Sequence, residues 1–348
     1  MLYESPDYRF FDLRGSHSGI GYELGRADSP FQTQSWWARP WPLAFTQVCA
    51  AVVRDIHPHL ADELSAYANA QKLEEVTLWQ QCCRVNLKAH IRAHELDVGE
   101  GCSTFVCYPG SGSAIVGRNY DYWPMQVRRQ RLRYRPDCCA YASIGGRGGV
   151  PCGRYDGINQ HGLFVSLHVV MTDNPPDNEV QPGVPFHLVA RMALELCHSA
   201  RDAADLLLHL PHLSSLNYLV ADANEAFVVE ADPRRIRLLP QEVPTLAVTN
   251  HYRHPDMRPL QGRRISNNSA CRLAFLSATH LDKNHAGLEA AALLDQAEKI
   301  MADRSAPVCG QSGSLTTLWS CVAELRTKQI RYAPGAPGVT PFEAIEGF

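Results

Sequence analysis

The sequence lacks several patterns that define common functional classes. No stretch of its 348 residues approaches eighteen consecutive apolar positions, the length that a membrane-spanning helix needs. The 33 Lys and Arg residues nearly balance the 36 Asp and Glu residues, so no strong field of one sign is expected to attract nucleic acid or an anionic membrane. A GxxxxGKS/T nucleotide loop and a GxSxG nucleophile elbow are also absent. With 45% hydrophobic and 20% charged residues, the composition is that of an ordinary globular protein.

The first fifteen residues, MLYESPDYRFFDLRG, do not have the pattern of a secretory signal. They carry acidic and aromatic side chains where a signal would carry a basic region followed by an apolar one. Taking Met1 as the true start, we expect a cytoplasmic protein whose partner is a small molecule rather than nucleic acid or a membrane. A homo-oligomer stays open, because helix faces that pair and faces that pack internally look alike in a sequence.

The twelve cysteines show no metal-binding or disulfide pattern. They are scattered through apolar segments with no CxxC pair, which favours reduced, buried side chains. Two histidine pairs, His251 with His254 and His209 with His212, could each supply half of a zinc site. Neither pair has cysteine partners at ligand spacing, so we expect no metal and no other cofactor.

The pattern of apolar residues changes near residue 100. From about residue 16 to 97 the apolar residues recur at helical spacing, whereas after Cys102 short β-type runs alternate with Gly, Pro and Asn turns. Helices are expected again at PFHLVARMALELCHSA, RDAADLLLHL, NSACRLAFLSATHL and AGLEAAALLDQAEKI, with further strands between and after them. This order predicts an α+β fold, with antiparallel sheets covered by helices. We expect a helical N-terminal segment, 1–101, and a core, 102–348.

A run of alternating arginines, RRQRLRYRPD, places four guanidinium groups on one face of an expected strand, at Arg129, Arg131, Arg133 and Arg135. Such a stripe could meet an acidic ligand. A solvated sheet edge, where the charges discourage pairing with another strand, is the more frequent arrangement and our prediction.

The stretch GEGCSTFVCYPGSG, residues 99–112, is the strongest candidate for chemistry. Cys102 opens an apolar run that a turn joins to GRNYDYW, so a hairpin would bring Arg118 and Asp121 back beside the thiol. A nearby guanidinium favours the thiolate, but no histidine lies in this hairpin to act as base. Cleavage after Gly101 would supply one, because an α-amine such as the one Cys102 would gain ordinarily has a pKa of about 7.7 to 8.0. Glycine leaves the carbonyl of such a bond open to attack.

These motifs together resemble a known family. GCSTFV, GRNYDYW, DGINQHGLFVSL, LAVTNHY, NNSACRL and TTLWSCVAELRTKQIRYAPGAPG follow the order and spacing of the acyl-coenzyme A:6-aminopenicillanic-acid acyltransferase family of N-terminal-nucleophile (Ntn) hydrolases, allied to choloylglycine hydrolases and acid ceramidases. The resemblance implies a four-layer αββα sandwich. It also implies that the precursor cuts itself, leaving 1–101 as an α chain and 102–348 as a β chain, each a partner of the other.

The resemblance assigns roles to individual residues. Cys102 matches the nucleophile that becomes N-terminal, Arg118 and Asp121 match the pair that flanks it, and Asn250 matches the asparagine that stabilises the oxyanion. Arg272 resembles a further family arginine near the site.

Three more residues are candidates for the substrate pocket. His168 stands where relatives often carry asparagine. This departure from the family pattern leaves the second polar wall of the pocket without an assigned residue. Tyr120 and Trp123 are candidates to line an acyl pocket, although aromatic residues after a strand also serve as packing.

The expected chemistry is acyl transfer through a thioester. The favoured activity is hydrolysis of a linear, non-peptide C–N amide bond. An N-acyltransferase that passes the acyl group to an amine would use the same residues. A non-catalytic scaffold with a dormant Cys102 is a further alternative, and a zinc protein is the third.

Overall fold

A computed structural model describes most of the chain. The described residues are 7–30, 42–83, 101–109, 112–122, 129–138, 140–147, 151–172, 181–240, 244–261, 267–279, 281, 290–309 and 316–348.

Eight strands form the larger sheet, in the order β1-β4-β5-β6-β7-β8-β9-β10. All neighbours are antiparallel except β1 and β4, which run parallel. The strands are β1 (Phe10–Gly15), β4 (Arg131–Pro136), β5 (Ser143–Gly146), β6 (Asp156–Asn159), β7 (Phe164–Val169), β8 (Leu216–Ala221), β9 (Ala226–Asp232) and β10 (Arg235–Pro240).

Six strands form the smaller sheet, in the order β11-β2-β3-β12-β13-β14, and every neighbouring pair is antiparallel. They are β2 (Ser103–Cys107), β3 (Ile115–Tyr122), β11 (Thr245–Val248), β12 (Thr316–Glu324), β13 (Gln329–Ala333) and β14 (Glu343–Ile345). The sequence predicted most of these strands from their apolar runs. It missed β1, β10 and β14, which are edge strands with exposed or charged positions.

Helices cover the outer face of each sheet. The helices are α1 (His17–Ala27), α2 (Leu43–Ile56), α3 (Pro58–Ala70), α4 (75–83), α5 (Phe186–Leu196), α6 (Ala200–His209), α7 (Asn267–Ser277) and α8 (Ala290–Ala302), with a 3-10 turn at Arg258–Gln261. Helices α5 and α6 pack on the larger sheet, whereas α7 and α8 pack on the smaller one. The α+β class and the four-layer αββα sandwich are therefore confirmed. None of the described helices combines the length and apolar character needed to cross a bilayer.

Strand β2 separates the two hydrophobic cores by the alternation of its side chains. Val106 and the preceding Cys102 belong to the large core between the sheets, whereas Phe105 and Cys107 belong to the core under α7 and α8. Because Cys102 shares the face of Val106, its side chain lies on the inter-sheet side. The alternation thus places the candidate thiol between the layers.

The N-terminal segment contributes to the sandwich as well as packing on it. Its helices α1 to α4 agree with the expected helical pattern, and residues 84–100 lie outside the described part. Strand β1, however, pairs in parallel with β4 and extends the larger sheet. Ser16 starts α1 by accepting a hydrogen bond from the backbone N–H of Gly19.

The arginine stripe does not form a sheet edge, and that prediction was wrong. Strand β4 lies between β1 and β5, so both of its edges are paired. Arg133 and Arg135 form ion pairs with Asp12 of β1, and Arg131 pairs with Glu343 of β14. Arg129 donates to the hydroxyl of Tyr8. The stripe joins the rims of the two sheets because carboxylates of both face it.

Candidate active site

The hairpin of β2 and β3 brings the predicted residues together. Thr104 lies opposite Arg118, and Ser103 lies opposite Asn119. Continuing this register places Cys102 opposite Tyr120 and Gly101 opposite Asp121. Cys102 is 3% exposed. The predicted hairpin is confirmed, and it sets Arg118 and Asp121 on opposite faces of β3 because they are three positions apart.

Arg118 approaches from the inter-sheet side and is fully buried. Its Nε donates to Asp156 Oδ2 at 2.8 Å and its Nη2 donates to the backbone oxygen of Leu167 at 3.0 Å, both on the opposite sheet. Burial alone would lower the pKa of Arg118, but attraction to Asp156 and to the Cys102 sulfur outweighs it and raises the pKa. A permanent positive charge is therefore fixed near the thiol.

His168 lies behind this guanidinium and is also fully buried. Its Nε2 is 3.1 Å from Arg118 Nη1 and 2.8 Å from the Thr104 hydroxyl, and its Nδ1 is 3.3 Å from the backbone oxygen of Asn217. Because a guanidinium can only donate, Nε2 accepts and Nδ1 carries the proton. Burial and the charge of Arg118 hold the pKa of His168 well below its usual range. His168 is thus a neutral acceptor that supports Arg118 from the facing sheet.

Asp121 packs against Gly101 on the other face. A Cβ on residue 101 would lie 2.6 Å from both Cβ and Oδ2 of Asp121, so a glycine is required there by close approach. Thr317 of β12 donates to Asp121 Oδ1 at 2.6 Å. Burial raises the pKa of Asp121 to about 7, although this hydrogen bond and the charges of Arg272 and Arg118 oppose the rise. A buried carboxyl group therefore adjoins the peptide bond that precedes Cys102.

Asn250 reaches the site because β11 runs antiparallel to β2. Val248 lies opposite Thr104, so the residues that follow β11 lie beside the start of β2. The side-chain amide of Asn250 donates to the backbone oxygen of Val169 at 2.9 Å, and its backbone N–H donates to Ser269 Oγ at 3.0 Å. An amide nitrogen has two hydrogens, so the bond to Val169 does not use up its donor capacity.

Arg272 of α7 links the start of β2 to the loop after β11. Its Nη1 donates to the backbone oxygen of Cys102 at 2.6 Å and to Ser103 Oγ at 3.0 Å. Its Nη2 donates to Asn250 Oδ1 at 3.1 Å, and its Nε to Asn268 Oδ1 at 2.7 Å. Burial lowers the pKa of Arg272, opposed by Asp121 and Cys102. Arg272, which was predicted to lie near the site, therefore connects helix α7 with Cys102, Ser103 and Asn250.

A series of stacked aromatic rings includes Tyr120, which the strand register places opposite Cys102. Tyr120 stacks on Trp319 with ring centres 4.0 Å apart and on Tyr155 at 5.0 Å, and Tyr155 stacks on Phe186 at 5.8 Å. Tyr120 thus packs within an aromatic layer beside Cys102. Trp123 lies outside the described residues.

Asp156 of β6 is a site residue that sequence reasoning missed. It is fully buried and accepts a hydrogen bond from Arg118. Asp156 is the first residue of β6, in the sequence YDGIN. An acidic residue before glycine is also typical of a turn, so the sequence did not single it out. The one available signal was the placement of a charged residue at the head of a β-type run.

In the part of the chain that the structure describes, one group of three side chains could hold a metal ion: His17, His57 and Glu195. The hydrogen bonds do not fit that use. His57 Nδ1 accepts from the backbone N–H of Leu60 at 3.2 Å, so Nε2 carries the proton and donates to Glu195 at 2.8 Å. Arg191 donates to the other oxygen of Glu195. The group is a buried ion and hydrogen-bond network.

The histidine pairs considered for zinc are engaged in other contacts. Nδ1 of His251 lies 2.8 Å from Ser269 Oγ, and Nδ1 of His254 accepts from the backbone N–H of Asp256 at 3.1 Å. His212 Nε2 lies 2.8 Å from the backbone oxygen of Leu207, and His209 Nδ1 lies 2.7 Å from that of Asp205. These nitrogens serve local turns and helix ends.

Comparison with solved structures finds similar chains of low sequence identity. The penicillin V acylase from Agrobacterium tumefaciens is 14% identical, with a TM-score of 0.46 over 70% of this chain and 86% of that one. The Caenorhabditis elegans N-acylethanolamine-hydrolyzing acid amidase ortholog is 16% identical, with a TM-score of 0.47 over 65% and 98%. A mutant of the conjugated bile acid hydrolase from Clostridium perfringens is 13% identical, with a TM-score of 0.43 over 70% and 92%. No curated protein sequence matches.

A family model gives the broader match. The model described as acyl-coenzyme A:6-aminopenicillanic acid acyl-transferase matches residues 107–338. The matched stretch contains Arg118, Asp121, Asn250 and Arg272, and it begins after Cys102. Because the match spans well over half of the sequence, this chain belongs to the acyl-coenzyme A:6-aminopenicillanic acid acyl-transferase family.

Proposed function

We propose that the protein is a self-processing N-terminal cysteine amidase that hydrolyses a linear, non-peptide C–N amide bond through a thioester acyl-enzyme. The observation that supports this proposal is that Arg272 donates both to the backbone oxygen of Cys102 and to the side-chain oxygen of Asn250, the candidate nucleophile and the candidate oxyanion-binding residue. Family membership, with the acyl-transferase chemistry in its description, supports the reaction type.

The first step is cleavage after Gly101. The Cys102 sulfur attacks the carbonyl carbon of Gly101, the C–N bond breaks as the amine takes up a proton, and water then hydrolyses the thioester. The products are an α chain of residues 1–101 and a β chain of residues 102–348. The close packing of Asp121 on Gly101 supports this step because it fixes the peptide bond beside a buried carboxyl group.

The second step is attack on a substrate amide. The α-amine of Cys102 accepts the thiol proton, and Arg118 stabilises the thiolate that results. As the thiolate attacks the carbonyl carbon, Asn250 and a backbone N–H bind the developing oxyanion. The α-ammonium group then returns its proton to the departing nitrogen, and water releases the acyl group from the thioester.

A second candidate is N-acyl transfer, which the description of the family model favours. An amine would replace water in the last step, and all other groups would keep their roles. Arg118, Asp121, Asn250 and Arg272 do not distinguish the two reactions, since the acyl-enzyme is the same.

The experiment is a substrate panel with a trap for the acyl-enzyme. The purified protein and its Cys102→Ala variant are incubated with N-acyl amino acids, acyl polyamines and β-lactams, with and without an added amine. We expect amide cleavage and an acyl adduct on the Cys102 peptide in the parent alone. Acyl transfer to the amine would favour the transferase, and a folded parent with no adduct and no cleavage would favour the scaffold.

A further inference from the structure

The carboxylate of Asp156 receives four hydrogen bonds. Oδ2 accepts from Arg118 Nε and from Trp319 Nε1, both at 2.8 Å. Oδ1 accepts from the Tyr332 hydroxyl at 2.9 Å and from the backbone N–H of Gly146 at 3.0 Å. Three of these donors belong to the smaller sheet, and Asp156 itself belongs to the larger one. Asp156 therefore bonds across the interior of the sandwich.

The four contacts around Asp156 match the acceptor capacity of a carboxylate. A carboxylate has about four lone-pair sites and no hydrogen, so each contact uses one of them. An asparagine in the same place would direct its NH2 group at the N–H donors of Arg118 and Trp319 in one orientation, and at the backbone N–H of Gly146 in the other. The surroundings of Asp156 thus select a negative charge over an isosteric neutral group.

Arg118 depends on this carboxylate for its charged contact. In the described structure Asp156 is the carboxylate within ion-pair distance of Arg118. The other acceptors of the guanidinium, at Leu167, Thr104 and His168, are neutral. Hydrogen bonds between charged partners are shorter and stronger than neutral ones, so Asp156 is the firmest of these anchors.

We infer that Asp156 is a positioning residue for Cys102, acting through Arg118, whose guanidinium it orients toward the sulfur. This inference rests on the proposed function, in which Arg118 stabilises the thiolate. Among the described residues, Asp156 reaches the site through its hydrogen bonds with Arg118 and Trp319. Its role is to keep the positive charge where the thiolate needs it.

The alternative is that Asp156 only ties the two sheets together. The two roles predict different behaviour of the thiol. If Arg118 stayed in place, loss of the Asp156 charge would leave the site more positive, and the thiolate would form at lower pH. If Arg118 loses its position, the thiolate forms at higher pH.

The test is the pH dependence of alkylation at Cys102, which needs no substrate. Parent, Asp156→Asn and Tyr332→Phe are treated with iodoacetamide from pH 5 to 10, and the Cys102 peptide is quantified by mass against the exposed Cys138 in the same sample. Tyr332→Phe is the matched control, because it removes one bond to the same carboxylate and leaves the bond to Arg118. Urea unfolding measures the stability of each variant.

We expect the profile of Asp156→Asn to move to higher pH by about one unit, and that of Tyr332→Phe to stay with the parent. A shift to lower pH, no shift, or equal shifts in both variants would overturn the inference. If Asp156→Asn does not fold, Arg118→Lys carries the test. Lysine keeps the charge but cannot make the Nε contact, so it should move the profile in the same direction. An unmoved profile in Arg118→Lys would also overturn the inference.

The outcome is separable from that of the proposed function. A parent that cleaves amides while Asp156→Asn shows no upward shift would reject the positioning role alone. A parent with no amidase activity and no cysteine at a chain end would reject the proposed function, and the alkylation profiles would still report whether Asp156 acts on the thiol.

Discussion

Arg272 donates from Nη1 to the backbone oxygen of Cys102 at 2.6 Å, so a helix of the outer layer holds the first residue of the candidate β chain. Its other terminal nitrogen holds the side-chain oxygen of Asn250 at 3.1 Å. The planar guanidinium makes both contacts at once, which the single ammonium of a lysine could not do in the same geometry.

Replacing Arg272 by lysine should therefore impair catalysis more than folding. We expect kcat to fall by about a hundredfold, since a displacement of about 1 Å between reacting groups has that cost. Steady-state kinetics on the best substrate of the panel measures the effect. Arg331→Lys is the control, because Arg331 is a partly exposed arginine whose ion pairs are with Asp295 and Glu298 of α8. An unchanged kcat in Arg272→Lys would contradict the assigned role.

Gly101→Ala should block or strongly slow cleavage of the precursor. The new methyl group would lie 2.6 Å from Oδ2 of Asp121, so the backbone before Cys102 must shift away from its observed position. Gly19→Ala in α1 is the matched control, since its methyl group would meet only Ser16 Oγ at 3.3 Å and alanine favours a helix. Intact mass after expression gives the cleaved fraction. Complete cleavage of Gly101→Ala would show that the contact with Asp121 is not needed.

The uncut chain should lose stability as the pH rises from about 4 to about 7. Burial raises the pKa of Asp121 to about 7 in the folded protein, above the usual aspartate value of 3.8. Between these values the unfolded carboxyl group has released its proton and the folded one has kept it, so the free energy of unfolding falls with rising pH. Urea unfolding of Cys102→Ala, with and without Asp121→Asn, isolates this contribution. Parallel pH profiles for the two proteins would exclude it.

A buried network joins the N-terminal helices to α5. It should stabilise the packing of the N-terminal segment, 1–101, on the core, 102–348. Arg191 donates to Glu63 through both terminal nitrogens and to Glu195 through Nε, and His57 contacts the same Glu195. Glu195→Gln removes a negative charge that faces the buried Arg191. We expect this to lower the free energy of unfolding by about 3 to 5 kcal/mol. Glu225→Gln, which removes an exposed pair with Arg201, should cost under about 1 kcal/mol.

The same variant has a defined pH dependence. Burial alone would raise the pKa of Glu195, but Arg191, His17 and His57 outweigh it and hold that pKa well below the usual range. The stability that this glutamate contributes is present above its unfolded pKa and is lost as the pH falls toward the folded one. The difference between parent and Glu195→Gln should therefore shrink below about pH 4. A constant difference would contradict the role of the charge.

Local patterns were sufficient to predict the hairpin and the class of fold. The apolar run after Cys102, the turn and the run through Arg118 and Asp121 are close in sequence, so their pairing follows from short-range geometry. Asn250 and Arg272 lie far along the chain, and only the resemblance to a family indicated that they approach Cys102. Strand order, not local composition, brings them there.

The contacts of Asp156 and of β1 could not be predicted in the same way. The four donors around Asp156 come from β3, β5, β12 and β13, whose packing depends on the whole sandwich. Strand β1 pairs with β4 across a long separation in sequence, and its charged residues resemble a surface segment. The arginine stripe looked like an edge because its partners, Asp12 and Glu343, lie in distant strands.

The most direct measurement is the intact mass of the purified protein under denaturing conditions, with N-terminal sequencing of each chain. We predict two chains divided between Gly101 and Cys102, with cysteine first in the larger one, and a single uncut chain for Cys102→Ala. A wild-type protein that hydrolyses amides while it remains one chain, or that begins its larger fragment at another residue, would contradict the assignment of Cys102 as both nucleophile and base.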